Sequence, residues 1–150
     1  MIRYHSYYNL NNMKEGFTLV DSVSVPSDYA SISMIETMID KVCGQIGVHE
    51  DNYGNVLIAV TEAVNNAIQH GNMLNHDLTV DVAVGDKIDE FYFSVLDKGN
   101  GFDYNNLPDP TAPENIEKEN GRGIFLMKSL ADTVEFDDLG RRVTIYFNKL

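Results

Sequence analysis

The chain has 150 residues, 43 % of them hydrophobic, and a formal net charge of −12 from 23 acidic and 11 basic residues. That length suits a single domain with a real core, and no apolar run approaches the ~20 residues of a membrane span. The acidity argues against direct nucleic-acid binding, which rests on Lys and Arg neutralising phosphate. It favours a small ligand brought in with a metal cation, or a basic protein partner. One cysteine, Cys43, excludes an internal disulfide, and four histidines with that cysteine show no metal-ligand spacing. The start, Met1 to Tyr8, lacks the apolar stretch of a secretion signal, so a cytoplasmic location is expected.

Residues 1 to about 15 are polar and tyrosine-rich and read either as an arm or as an extra edge strand. Phe17 to Val25 alternates as a strand, with Phe17, Leu19, Val23 and Val25 as its apolar set, and Pro26 stops it. Ser27 or Asp28 can cap a helix to about Ile46, whose apolar side is Ile32, Ile35, Met38, Ile39 and Val42. Cys43 on that helix reads as a small core residue rather than a nucleophile. Gly47 ends the helix, and a second begins near Glu50, with Glu50 and Asp51 at its positive end.

This second helix is the central one. Its Leu57–Gly71 stretch predicts a helix closed by a glycine C-cap. Val56, Leu57, Val60, Ala63, Val64, Ala67 and Ile68 share one broad stripe, and Glu62, Asn66 and Gln69 fall opposite. Glu62 and Asn66 are an i, i+4 pair, so their side chains meet. On its own, such a pair is more often a solvated face than a site. His70 follows on the same helix and reads as a partner of the helix dipole rather than a general base.

Leu78 to Val84 and Glu90 to Leu96 read as a hairpin turning at Gly85-Asp86-Lys87. A long connection, about 102 to 120, carries Pro108, Pro110 and Pro113, and a loop of that length is usually either a functional lid or disordered. Ile124 to about Leu130 is a short helix. Thr133 to Phe136 and Arg142 to Phe147 form a last hairpin turning at Asp138-Leu139-Gly140. Strands joined by hairpins predict an α+β two-layer sandwich, with a mostly antiparallel or mixed sheet and the helices on one face.

Two glycine motifs sit beside these elements. Asp97-Lys98-Gly99-Asn100-Gly101 follows a strand directly; glycines let the backbone approach a flat ligand, and an ionised Asp accepts from an exocyclic amine. Asn120-Gly121-Arg122-Gly123-Ile124 stands immediately before a predicted helix, the usual way to offer backbone N–H groups to phosphate. It is neither a Walker A sequence nor a dinucleotide fingerprint. Each motif alone reads as a turn or a loop end.

Helical Glu-x-x-x-Asn, then Asp-x-Gly-x-Gly after a strand, then Gly-x-Gly before a helix resembles the N, G1 and G2 boxes of the GHKL ATPase superfamily. That superfamily holds histidine-kinase catalytic domains, Hsp90, MutL and type II topoisomerase ATPase domains. The resemblance covers about residues 17 to 148, within a single domain taken as 1 to 150. Ala59 to His70 and Gly121 to Met127 are similar to the corresponding boxes of the anti-sigma-factor serine kinases.

The resemblance implies a Bergerat-type ATP-binding fold and roles for named positions. Asn66 would ligate Mg²⁺ on the ATP phosphates, and Glu62 would orient or deprotonate the attacking hydroxyl. Asp97 would bind the adenine amine, with Gly99 and Gly101 shaping the base pocket. Gly121 and Gly123 would meet the phosphates, with Arg122 or Lys118 of the lid supplying positive charge. The implied function is an anti-sigma factor that holds a sigma factor and phosphorylates a serine on an anti-anti-sigma (STAS-type) protein. Such proteins often form homodimers, for which Phe17, Leu19 and the tyrosine-rich start are candidates. The alternative is a non-catalytic switch in which nucleotide only sets partner affinity. A histidine-kinase ATPase is disfavoured, since no phosphoacceptor helix pair stands ahead of the domain in this sequence.

Overall fold

The structure, a computed structural model, describes residues 12–106 and 119–149. The first eleven residues of the predicted arm, and 107–118 of the predicted lid with Lys118, lie outside the described residues. The elements run β1 (Thr18–Pro26), α1 (Ser31–Ile46), α2 (Glu50–Asn66), a π-turn (Ala67–Gly71), β2 (Thr79–Asp86) and β3 (Glu90–Leu96). A 3₁₀ turn (Tyr104–Asn106), α3 (Glu119–Leu130), β4 (Thr133–Asp137), a second 3₁₀ turn (Asp138–Gly140) and β5 (Arg142–Asn148) complete the order.

All strand pairs are antiparallel and the sheet order is β1-β2-β3-β5-β4. The α+β expectation holds, with an antiparallel rather than mixed sheet. Register aligns apolar side chains in rows across the inner face. One row is Val23, Val82, Val95, Val143 and Phe136; the next is Val84, Phe93, Ile145 and Val134. The helices lie over these rows, and Ile35, Ile39, Val42, Val56, Val60, Val64 and Ile68 are buried to 0 % exposure. α2 is the middle helix, packed against both α1 and α3. Cys43 joins the core as expected, and burial pushes its thiol up to about 11.

β1 departs from simple alternation. A bulge between Leu19 and Asp21 changes its register against β2. Val20 then packs against the core, while Phe17 meets Tyr92 on the outer face, with ring centroids 4.9 Å apart. Phe17 and Leu19 therefore do not share a face with Val23 and Val25, as strict alternation implies. The expected cap of α1 also differs. The helix starts at Ser31 with Ala30 as an N-cap lacking a side-chain bond. Ser27 and Asp28 are engaged elsewhere: the Ser27 hydroxyl donates to the Leu78 carbonyl at 2.6 Å, and Asp28 accepts from the Ala30 N–H at 2.9 Å. At the other end Gly47 adopts φ 75° and donates to the Cys43 carbonyl, the predicted stop. α2 begins at Glu50 as read, with the His49 ring accepting from the Asp51 N–H.

On the outer face Gly85 pairs with Tyr92, and a methyl group at Gly85 would run into the Tyr92 ring. Tyr92 is fully buried in contact with Phe17 and Tyr146, so the ring has no room to yield. Gly85→Ala is therefore expected to destabilise the fold by about 1–3 kcal/mol. Urea unfolding checks this: the midpoint should fall with the slope unchanged.

Candidate nucleotide site

The stripe of α2 is buried largely as read, with Ala59 fully buried and Leu57 at its margin. Glu62 and Asn66 lie on the half-buried side that α3 crosses, not on an open polar face. The crossing is close. A Cβ on Gly123 would lie 2.9 Å from Asn66 Nδ2 and 3.2 Å from Glu62 Oε2. Gly123 thus lets α3 approach the two polar side chains, where any other residue would press on them.

The helix itself ends differently from the expectation. α2 passes into a π-turn, in which the Asn72 N–H donates to the Ala67 carbonyl at 2.8 Å, five residues back. Gly71 is not a left-handed cap. Its Cα faces the Asp97 side chain so tightly that a Cβ would overlap the carboxylate, and a Cβ on Gly99 would overlap the Gly71 carbonyl. The glycines at 71 and 99 are required by this close passage. Single-turn π-segments inside helices occur often at functional sites.

Asp97 ends β3 and is 8 % exposed. Its N–H donates to the Arg141 carbonyl at 2.9 Å, and its Oδ1 accepts from the Gly99 N–H at 2.8 Å. Burial raises its pKa above the usual carboxylate value; the Gly99 N–H, Arg141 and Lys98 pull the other way. Gly101 has φ 80°, and Phe102 beyond it donates its N–H to the Leu139 carbonyl at 3.0 Å, strapping this loop to the β4–β5 turn. Phe102 and Tyr104 then pack on Phe136, with centroids 5.3 Å and 5.7 Å away.

Between these elements lies a cavity of about 300 Å³. Ala63 and Ala67 of α2 form one wall, and their small side chains leave the space open. Val95, Ile124, Met127 and Val143 supply apolar lining, while Asn66, His70, Asp97 and Arg141 supply polar groups. An apolar cleft with a few converging polar groups is the ordinary form of a small-molecule site.

The structure thus brings Glu62, Asn66 and Gly123 together, and Asp97, Gly99 and Gly101 into one adjoining loop. Gly121 and Arg122 differ from expectation, since α3 starts at Glu119 and the second glycine motif lies inside its first turns rather than ahead of it. Gly121 is half-buried and Arg122 exposed. Sequence reasoning missed Gly71 as a site residue, reading it as a cap, and missed Arg141. It took Gly140 for turn chemistry alone, whereas a Cβ there would meet the Phe102 backbone at 2.6 Å. Among the described residues no group of three or more His, Cys, Asp or Glu could hold a metal ion unaided. The hard amide and carboxylate oxygens of Asn66 and Glu62 suit Mg²⁺ only if phosphate and water complete its shell. No described helix is long and apolar enough to cross a membrane.

The family described as histidine kinase-like ATPase domain matches residues 25–147. Serine-protein kinase RsbW from Staphylococcus aureus strains JH9 and Newman is 32 % identical over 117 residues, covering 73 % of this chain and 74 % of each relative. A crystal structure of the RsbU and RsbW domains of a Mycobacterium tuberculosis protein shares the fold, with a TM-score of 0.55 at 12 % identity. It is matched over 86 % of this chain, which spans 32 % of that one. A family match across most of the sheet and all three helices, together with relatives at that identity, means that the chain belongs to the histidine kinase-like ATPase domain family.

Proposed function

We propose that this protein is an ATP-dependent protein serine kinase acting as an anti-sigma factor. It holds a sigma factor and phosphorylates a serine of an anti-anti-sigma protein of the STAS type. The observation that carries the reading is the close approach of α3, permitted by the missing Cβ of Gly123, to both Glu62 and Asn66, beside a cavity lined in part by Asp97. The name of the Staphylococcus aureus relatives, a serine-protein kinase, supports the same chemistry.

In this reading the cavity takes the adenine base. Asp97 accepts a hydrogen bond from the exocyclic amine, in a slot whose shape Gly99 and Gly101 permit. Asn66 faces the phosphates, and the N-terminal turns of α3, with Gly121, Arg122 and Gly123, stand on the other side of them. Mg²⁺ held by the Asn66 amide oxygen, water and phosphate would neutralise charge on the transferred phosphoryl group. Glu62, one helical turn from Asn66, orients the serine hydroxyl and accepts its proton. Positioning supplies most of the rate in such transfers, so the rigidity of α2 matters as much as the carboxylate. Lys118 remains a candidate phosphate contact from the lid, and a homodimer remains a candidate assembly.

Calorimetry with ATP and Mg²⁺ tests the cavity. Asn66→Ala and Asp97→Ala should each weaken binding by about tenfold or more. Glu62→Ala should keep ATP affinity but lower transfer of labelled phosphate to an antagonist protein by about 10²–10⁴-fold. Unchanged partner phosphorylation in that variant would remove Glu62 from the chemistry.

Gly123→Ala separates site from scaffold. Alanine is a better helix former by about 0.5–1 kcal/mol, and the atoms its methyl meets are the ends of two side chains that can turn aside. The variant should melt no lower than the wild type yet bind ATP more weakly, because Asn66 is displaced.

The raised pKa of Asp97 gives a pH dependence of definite sign. Its folded value lies above its unfolded value, so the native state binds the proton more tightly. The stability from this group is fully present below the unfolded pKa and is lost as pH rises through the folded one. Asp97→Asn should thus be at least as stable as wild type at neutral pH while losing adenine recognition. ATP affinity of the wild type should fall on acidification at a pH above the ordinary carboxylate range, a fall that the Asn variant lacks.

A further inference from the structure

Asn72 stands where the π-turn gives way to the chain leading to β2, and it is 2 % exposed. Its side chain makes three hydrogen bonds to three separate segments. Nδ2 donates to Ser27 Oγ at 2.8 Å and to the Thr79 carbonyl at 3.1 Å. Oδ1 accepts from the Lys98 N–H at 2.7 Å. Ser27 is itself fixed, since both its N–H and its hydroxyl donate to the Leu78 carbonyl. The Lys98 main chain is therefore anchored, through one buried amide, to the end of β1 and the start of β2.

Lys98 directly follows Asp97. On the other side the Asp97 N–H is pinned to the Arg141 carbonyl. The peptide groups bracketing Asp97 are thus held from two directions, and the side chain between them has little freedom of aim. The Gly99 N–H on Oδ1 completes the arrangement. Asn72 does not itself line the cavity; it reaches lining residues through this loop, through Gly71, its neighbour in the chain, and through its own N–H on the Ala67 carbonyl.

We propose that Asn72 is a positioning residue for base recognition. Its amide oxygen holds the Lys98 main chain so that the Asp97 carboxylate presents to the cavity, and discrimination for adenine depends on that hold. The proposal rests on reading the cavity as the adenine site. A residue that merely stabilised the fold would lower the melting temperature without altering which base is preferred.

Two measurements separate these roles. In the free protein, amide hydrogen exchange reports the loop directly. Asn72→Ala should speed exchange at both Lys98 and Gly99 by about tenfold. With Mg²⁺ present, calorimetry compares ATP with inosine triphosphate, which carries an oxygen where adenine carries its amine. The ATP preference of the wild type should shrink by about tenfold in Asn72→Ala. Ser27→Ala removes an acceptor of Nδ2 but leaves the Lys98 bond, so it should melt lower while keeping Gly99 exchange and base preference.

Asn72→Asp keeps an acceptor for the Lys98 N–H while losing both Nδ2 donations, so it should melt lower than the wild type with the loop bond intact. It should retain Gly99 protection and the ATP preference, and their loss in a folded Asp variant would overturn the proposal. So would wild-type Gly99 exchange and base preference in Asn72→Ala. If the wild type binds neither triphosphate while Gly99 exchange still responds to Asn72→Ala, the adenine reading falls and the positioning of Asp97 stands.

Discussion

The site depends on one close passage, where the end of the α2 π-turn runs against the loop that follows β3. Gly71, Asp97 and Gly99 meet there with no space for a side chain on either glycine. The π-turn makes this possible: with the Asn72 N–H bonded five residues back, the last turn is wider than an α-helical one and delivers Gly71 onto the loop. α2 can then serve two ends at once. Glu62 and Asn66 face α3 in the regular helix, and one turn later the same helix becomes a wall against which the Asp97 loop is set.

In the proposed site, this packing would make Asp97 an effective acceptor. A carboxylate exposed to water gains little from a new hydrogen bond, since it exchanges one partner for another. Asp97 is already largely stripped of water by the fold, and its raised pKa records that cost. The partial compensation from the Gly99 N–H and from Arg141 keeps the group ionisable without satisfying all its lone pairs. On the proposed reading, an incoming amine would restore what folding removed. The overall charge of −12 repels free polyanions more strongly than a nucleotide whose charge a bound cation partly neutralises.

Much of the fold was legible because periodicity reports burial. β3 has the bounds its alternation gave, the last hairpin turns at Asp138-Leu139-Gly140 as read, and the α2 stripe is the buried face. The first hairpin turns later than its Gly85-Asp86-Lys87 reading, since Gly85 and Asp86 still pair with Tyr92 and Phe91 in the sheet. Several other misreadings share a cause, since they concern a group whose partner lies far away in sequence. The β1 bulge is set by pairing with Gly85 and Val84 on β2, which no local pattern in β1 encodes. Ser27 does not cap α1 because Leu78 and Asn72, about fifty residues on, claim its hydroxyl. Gly71 and Gly140 look like a stop and a turn, and only the folded chain shows what each passes. The candidate site was legible as a set of residues, because its glycines and polar pairs are sparse and ordered. Its geometry was not.

The same logic accounts for where the chain breaks local rules. Alanines at 63 and 67 leave a void beside a core otherwise filled by valine, isoleucine and phenylalanine, and such space costs packing energy. Two glycines in the first turns of α3 each weaken a helix that alanine would strengthen. A carboxylate sits buried, and a helix ends in a π-turn rather than a clean cap. Each of these costs falls on the cavity or the α2–α3 crossing, although irregularities occur elsewhere too, in the β1 bulge and the uncapped start of α1. A scaffold selected for stability alone would scatter its defects or remove them. Their concentration around one cavity fits a site shaped for a ligand, whose binding to the folded state would offset their cost.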